Sequence, residues 1–501
     1  MGVNNITKAT IISYVAIFAN IAISFFYTPW MIRQIGVSDY GLYHLTISFV
    51  SYFIMDFGLA QAVQRFIAKY RAERDEDKVA KMIGLTTRVY LILDIVIFIV
   101  LFILYFFVTQ VFAGLTPAEV DRFKGLYLIA AIFSVLNFMF KPMGGAMMAY
   151  EYFVEERALE LINKVGIVIV VCMALALGAD VYALVLINGG VSLLVSITKF
   201  IVFKRKSQLD IQWRYYEKNE LKNIFSFSIW SFVATLAQRL RFSLVPTVLG
   251  ILSNSDQIAI FALGSSLEGM VYVLSTGLNG LFLPKVSRLV QSESRDKVLE
   301  LMIRVGRIQL YLICLIFFGF VAIGQAFILL WVGDHFANVY YILIFLIISN
   351  LVSLTQSIAY DLVLVENHIR KTSLYILATS MFGLIVACIL APRLGAVGCA
   401  IGTGIGLCVY QVIINMFYHK RLGLNIKKFF RECHIKILPF TVLYALVFYF
   451  AMRHVDINTW LGFIIAGSSF AAIYLTACYF FLFTNEERSL CKSLIIQKNR
   501  S

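Results

Sequence analysis

Residues 90–108 read YLILDIVIFIVLFILYFFV, nineteen positions carrying a single charge, Asp94. At 1.5 Å per residue a helix of that length covers about 28 Å, the thickness of a bilayer's hydrocarbon layer. Apolar residues do not alternate in and out with period two, so the run does not read as a barrel strand, and lipid-exposed backbone must then satisfy itself as helix. Similar runs recur along all 501 residues. The chain is 60% hydrophobic with mean hydropathy +0.83 and only 14% charged, against roughly 25% charged in soluble domains, which excludes a water-soluble core. About fourteen spans are expected, with approximate cores at 10–32, 42–66, 83–108, 123–149, 159–177, 181–203, 225–249, 258–284, 303–330, 339–364, 373–391, 395–418, 435–452 and 459–483. The first lacks a basic leader and a small-residue cleavage site, so it reads as a retained helix.

The formal charge of +14 does not point to nucleic acid, because the cations alternate by loop. On one face lie Lys8, Arg65 to Arg88, Lys141, Arg157, Lys164, Lys199 to Lys222, Lys285 to Arg307, Arg370, Lys371, Lys420 to Lys436 and the tail from Arg488, which together hold 36 of the 43 lysines and arginines. The other face has Arg33, Arg122, Lys124, Arg393 and Arg453. The positive-inside rule makes the first face cytoplasmic, with both termini there. The eight cysteines form no CxxC pair and fall in spans or on the cytoplasmic side, so disulfides are not expected.

No loop is long enough to fold alone. The longest polar stretch, KRKSQLDIQWRYYEKNELKN from Lys204, reads as a cytoplasmic linker between halves. Pro29, Asp39, Gly166, Gly178, Ala179, Ala183 and Gly189 recur 217 residues later as Pro246, Asp256, Gly383, Gly395, Ala396, Ala400 and Gly406, and Gly114 recurs 219 later as Gly333. Six spans per half make the repeats parallel, a transporter architecture. The expected organisation is an N-lobe at 1–203, a linker at 204–224, a C-lobe at 225–420 and an appended helix pair with tail at 421–501.

TPWMIRQIGVSDYGLYHLTISF from Thr28, DFGLAQAVQRFIAKY from Asp56, LWVGDHFANVYYIL from Leu330 and LGAVGCAIGTGIG from Leu394 occur in an order and spacing that resembles the bacterial polysaccharide (O-antigen type) flippases. These belong to the multidrug/oligosaccharidyl-lipid/polysaccharide flippase superfamily, which also holds the multidrug and toxin extrusion transporters. The resemblance implies an all-α polytopic membrane protein in the bacterial inner membrane, with two pseudo-symmetric six-helix lobes around a central cavity plus a C-terminal helix pair. It implies alternating access that carries an undecaprenyl-diphosphate-linked oligosaccharide from the cytoplasmic to the periplasmic leaflet, for lipopolysaccharide O-antigen or other surface polysaccharide. Many members carry an acid in the outer part of the seventh span; here that stretch reads AQRLRFSLVPTVLG from Ala237 and has none.

Charges deep in a bilayer invite a functional reading. Arg239 and Arg241 lie about 21 and 24 Å along the seventh span from Phe225, beyond reach of cytoplasmic water. Gln238 and three hydroxyl residues, Ser228, Ser231 and Thr235, fall in the roughly 160° arc between them. An arginine fork binds a diphosphate bidentately, and the arriving anion offsets the cost of burying the cations. Arg239, Arg241, Gln238 and Glu268 are the expected substrate-binding group. The competing roles are an internal pair of Arg241 with Glu268 on the next span, and snorkelling to the surface. Asp56 and Asp94 are the candidate carriers of a coupling proton or sodium ion, since a buried carboxylate can titrate near neutrality; the alternative is a structural pairing, as of Asp56 with Arg88. Lys141, near a span end, reads as a snorkelling lysine. Gly398, Gly402 and Gly406 read as a helix-packing stripe.

Two other functions compete. A multidrug or metabolite cation antiporter of the same fold would avoid paired deep arginines. A membrane-embedded enzyme, such as a polysaccharide polymerase or acyltransferase, would show a large outer loop or a deep histidine or acid pair; the six histidines lie near span ends and form no HExxH or His-Asp-Ser group. No catalytic residue, metal or bound cofactor is expected beyond a proton or sodium gradient. The expected partners are the lipid-linked oligosaccharide, membrane lipids and polysaccharide polymerase machinery, with no nucleic acid.

Overall fold

The computed structural model describes residues 21, 23–55, 58–213, 215–222, 224, 225, 232, 236, 243–276, 282–291, 295–452, 455 and 457–489, and among them every regular element is helical. Eight helices among the described residues are long and apolar enough to cross a membrane. The helix Glu76–Val111 shows why. Its N-cap Asp75 accepts a hydrogen bond from the Lys78 amide, and Glu76 and Asp77 complement the positive end of the helix dipole. Beyond that polar turn Tyr90, Asp94, Ile97 and Leu101 form a buried stripe at helical spacing, whereas Ile92, Ile95, Phe98, Ile99, Phe102 and Phe106 point outward. A helix whose wide exposed face is apolar is solvated by lipid, not by water.

The chain forms two compact units, Met1–Leu263 with Ile369–Thr403, and Gly264–His368 with Gly404–Ser501.

In the first unit the fourth span is interrupted. Pro142 has no amide proton, and its ring meets the carbonyl of the residue four back, so the Pro117–Phe138 helix stops there and Lys141–Ala149 begins anew. The second span also breaks, its Val37–Phe53 helix ending at Ile54. The expected turn between the eleventh and twelfth spans appears as a kink in Ile369–Lys420, where Gly395 takes φ 54°. A side chain at Gly395 would strike Gln257, whose Oε1 accepts the Ala396 amide at 2.8 Å. Gly178, its repeat mate, also has positive φ, at the turn before Val181–Ser207. A Cβ at Gly398 would lie 2.7 Å from the Leu390 carbonyl oxygen, and one at Gly402 would lie 2.4 Å from the Ala387 nitrogen, which makes both packing glycines.

In the second unit the tenth span breaks too, into Val339–Asn350, a short turn Ser353–Thr355 and Ser357–Val365. No proline does this; the hydroxyls of Ser353 and Thr355 bond nearby backbone carbonyls instead. The C-terminal pair, His434–Met452 and Trp460–Ala477, packs on Arg295–Val332 through Ile323, Phe448, Ala466 and Phe470. Arg307 fastens that arrangement. Its guanidinium donates to Glu487 Oε1 at 2.6 Å and Oε2 at 3.0 Å, to Tyr311, and to the carbonyls of Glu432 and Leu482. Burial pushes the Glu487 carboxyl up, but the bonds from Arg307 and Thr484 outweigh it and hold it below the usual glutamate range. The pair's contribution is therefore present above the ordinary glutamate pKa of about 4.3 and is lost as the pH falls below it. Glu487→Ala leaves a buried cation unpaired and is expected to cost about 3–5 kcal/mol, while Arg307→Met with Glu487→Leu restores most of that. Thermal unfolding in detergent checks it; an unchanged midpoint in Glu487→Ala would remove the pair's structural role.

Candidate functional site

Val37–Phe53, Pro117–Phe138 and Val181–Ser207 line a pocket of about 430 Å³ in the first unit. Each helix presents a polar stripe. Asn188, Ser192 and Ser196 stand one turn apart on the third helix, and Ser134 and Asn137 face them from the second. Gly189 lets these two helices close up, since a Cβ there would sit 2.4 Å from the Phe133 Cβ. The amides are positioned by their own backbone: Asn137 Nδ2 donates to the Phe133 carbonyl at 2.8 Å and Asn188 Nδ2 to the Leu184 carbonyl at 2.8 Å. Asn137 Oδ1 accepts from Ser196 at 3.0 Å. Tyr43, from the first helix, bonds the Asn188 side chain.

Lys141 closes one end of this pocket. Its ammonium donates to the Ile54 carbonyl at 2.8 Å, the residue that ends the broken Val37–Phe53 helix. A lysine read as snorkelling thus meets the negative end of a half-helix. Among the described residues the pocket lining contains this one cation and no carboxylate. Asp94 is buried nearby in charge terms: Lys141 is the group whose field reaches it, and its Oδ1 takes no hydrogen bond from a described residue.

A second polar cluster joins positions that the repeat makes equivalent. Ser38 and Ser255, 217 residues apart, each begin a helix, and their hydroxyls lie 3.0 Å from one another. Both donate to Glu119 Oε1, Ser38 at 2.9 Å. Glu119 also closes the capping box of Pro117–Phe138, its Oε2 accepting from the Thr116 amide and hydroxyl at 2.8 Å each. Beside it Arg122 pairs with Asp39 at 2.6 Å. Gly41 permits the approach, because a Cβ there would fall 2.1 Å from the Ser255 carbonyl oxygen.

In the second unit Glu268 is buried and accepts from Asn350 Nδ2 at 2.8 Å. Gln356, at the break in the tenth span, accepts from Gln411 at 2.6 Å and donates to Asn415 at 2.7 Å. Asp361 is a buried acid that the sequence reading passed over. Of the expected site residues, Asp94 lies in the first unit and Glu268 in the second, while Arg239, Arg241, Gln238 and Asp56 lie outside the described residues. Among the described residues no three histidine, cysteine or acidic side chains gather as a metal site.

A family described as "Polysaccharide biosynthesis protein" matches residues 6–290. The "Uncharacterized membrane protein EpsK" of Bacillus subtilis (strain 168) is 19% identical over 491 residues, covering 95% of each chain. Among solved structures, "Lipid II flippase MurJ, inward closed conformation" superposes with a TM-score of 0.66 at 15% identity, covering 95% of this chain and 98% of that one. The eukaryotic MATE transporter AtDTX14 gives a TM-score of 0.61 at 16% identity over 87% of this chain and 99% of its own. The fold is shared with both.

Proposed function

Because the chain belongs to the polysaccharide biosynthesis protein family, whose pattern covers 285 of its 501 residues, we propose that it flips an undecaprenyl-diphosphate-linked oligosaccharide from the cytoplasmic to the periplasmic leaflet of the bacterial inner membrane. The family match carries this reading, and the fold shared with a lipid II flippase supports it. The proposed cycle is alternating access, in which segments 1–203 and 225–420 act as the moving lobes, 204–224 links them, and 421–501 is an appendage. Ser38, Glu119 and Ser255 form the latch that holds the periplasmic end shut, since one carboxylate there ties together helix starts from both repeats. Arg239 and Arg241, with Gln238, hold the diphosphate, and Glu268 completes the substrate-binding group as a partner for Arg241. Asp56 or Asp94 carries a coupling proton or sodium ion. The product serves surface polysaccharide such as O-antigen, and polymerase machinery takes it up.

A cation antiporter on this fold needs an anionic pocket wall, whereas the described residues that line the first-unit pocket include one ammonium and no carboxylate. Catalysis of a covalent step plays no part in the proposed cycle.

Two measurements test the proposal. Purified protein in proteoliposomes is expected to carry a fluorescent polyprenyl-diphosphate sugar to the opposite leaflet; a rate equal to that of empty vesicles overturns it. Single cysteines replacing Asp210 and Lys427 are expected to label from the cytoplasm, and those replacing Asp121 and Asp456 from the periplasm. The reversed pattern overturns the direction of transport.

A further inference from the structure

The charge pattern and the broken helices together give the first-unit pocket a polarity. Val37–Phe53, Pro117–Phe138 and Val181–Ser207 each begin beside a loop from the cation-poor face, so all three run the same way through the bilayer. The lining on the third helix extends from Val185 to Ser196, about 16 Å of depth at the helical rise. Lys141 lies at the end of that trough nearer the cation-rich face, and Tyr43 at the other end. An ammonium at one end of a neutral trough of amides and hydroxyls matches an anionic group joined to a polyhydroxylated body. Sugar hydroxyls both donate and accept, as do the side chains of Ser134, Ser192 and Tyr43, and an amide offers an oxygen and an NH2 on one plane. Phe133 supplies an apolar face between them for the flat side of a pyranose ring. The volume falls within the roughly 300–1,000 Å³ of small-molecule sites.

We propose that this pocket is the saccharide subsite of the transporter, binding the sugar nearest the diphosphate through Asn137, Asn188 and Ser192, with Lys141 on the phosphate that bears it. The proposal rests on the flippase reading and adds to it a place for the glycan. Lys141 then exchanges the Ile54 carbonyl, a weak neutral acceptor, for a charged phosphate oxygen, the stronger kind of hydrogen bond. Release of that carbonyl frees the end of the broken helix.

Two short-chain probes test it on the full-length purified protein: a polyprenyl diphosphate bearing one N-acetylhexosamine, and the same lipid without sugar. Wild-type protein is expected to bind the sugar-bearing lipid more tightly. Asn188→Leu, close in shape, is expected to lose roughly tenfold of that affinity and to leave the bare lipid unchanged, as two lost hydrogen bonds predict. Lys141→Ala weakens both probes, and Lys141→Arg recovers both. Should a leucine variant lose its fold, Ser192→Cys in a cysteine-free background gives an independent readout: its maleimide labelling is slowed by the sugar-bearing lipid and not by the bare one. If wild-type protein transports the lipid while Asn188→Leu keeps the full sugar increment, or Ser192→Cys labels equally with both probes, the subsite is overturned and the flippase reading stands. If wild-type protein neither binds nor moves either lipid, both fall together.

Discussion

Arg239→Ala and Arg241→Ala are each expected to abolish flipping while the protein stays inserted and abundant. Both follow Ser228, Ser231, Thr235 and Gln238, which helical spacing in the sequence would put on one side of the expected seventh span. Two guanidinium groups at that depth are costly until an anion arrives, and a diphosphate offers two neighbouring sets of oxygens to a planar fork. Removing one member of a desolvated charge pair costs about 2–5 kcal/mol, or roughly 30-fold to several-thousand-fold in affinity. Lysine restores only part, because it keeps the charge and loses the fork. Translocation in proteoliposomes and thermal stability, measured on the same preparations, separate the roles. An arginine that serves an internal pair loses stability first, whereas one that serves the headgroup loses transport at an unchanged midpoint. Wild-type rates in both variants would end the assignment.

The helices were legible in the sequence because a hydrocarbon solvent imposes one rule, about twenty apolar residues per crossing, on every span. The turn at Gly395 was legible through its repeat mate Gly178, both with positive φ. The breaks were not all so. The fourth span was expected as one run, 123–149, although Pro142 carried the signal for its break, since the ring excludes continuation past Phe138. The break after Asn350 has no such marker, and arises from serine and threonine hydroxyls that compete for backbone carbonyls. Asp94 stood out because a lone acid in an apolar run is conspicuous. Asn137, Asn188 and Ser192 did not, because single neutral polar residues are common in spans and gain meaning only when three helices bring them to one pocket. Their four-residue spacing from Asn188 to Ser196 was the available signal. The partner of Lys141 was hidden for a related reason, because the carbonyl it meets is supplied by the end of the Val37–Phe53 helix, a contact compatible with a snorkelling lysine.

Glu119→Ala is expected to unlatch the periplasmic end. Glu119 accepts from Ser38, Ser255 and the Thr116 amide and hydroxyl, so one truncation removes the bonds by which both serines reach the capping box and leaves Asp39 of Val37–Phe53 paired with Arg122. Hydrogen bonds to a charged group are worth about 1.5–3 kcal/mol each, and the one from Ser255 crosses between the repeats. Losing it shifts an open–closed equilibrium by about 1.5–3 kcal/mol, roughly tenfold to a hundredfold in population. Ala259, one turn along the same helix from Ser255, is fully buried. A cysteine in its place is therefore expected to label slowly from the periplasm in otherwise native protein, and far faster once Glu119→Ala is added. Transport falls in the same variant, because a transporter that cannot close its outer end cannot return to load from the inner leaflet. Glu119→Gln is expected to be intermediate, since its amide oxygen still accepts from both serines without the charge. Periplasmic labelling that is equally slow with and without the carboxylate, together with an undiminished flipping rate, would reduce Glu119 to a helix cap.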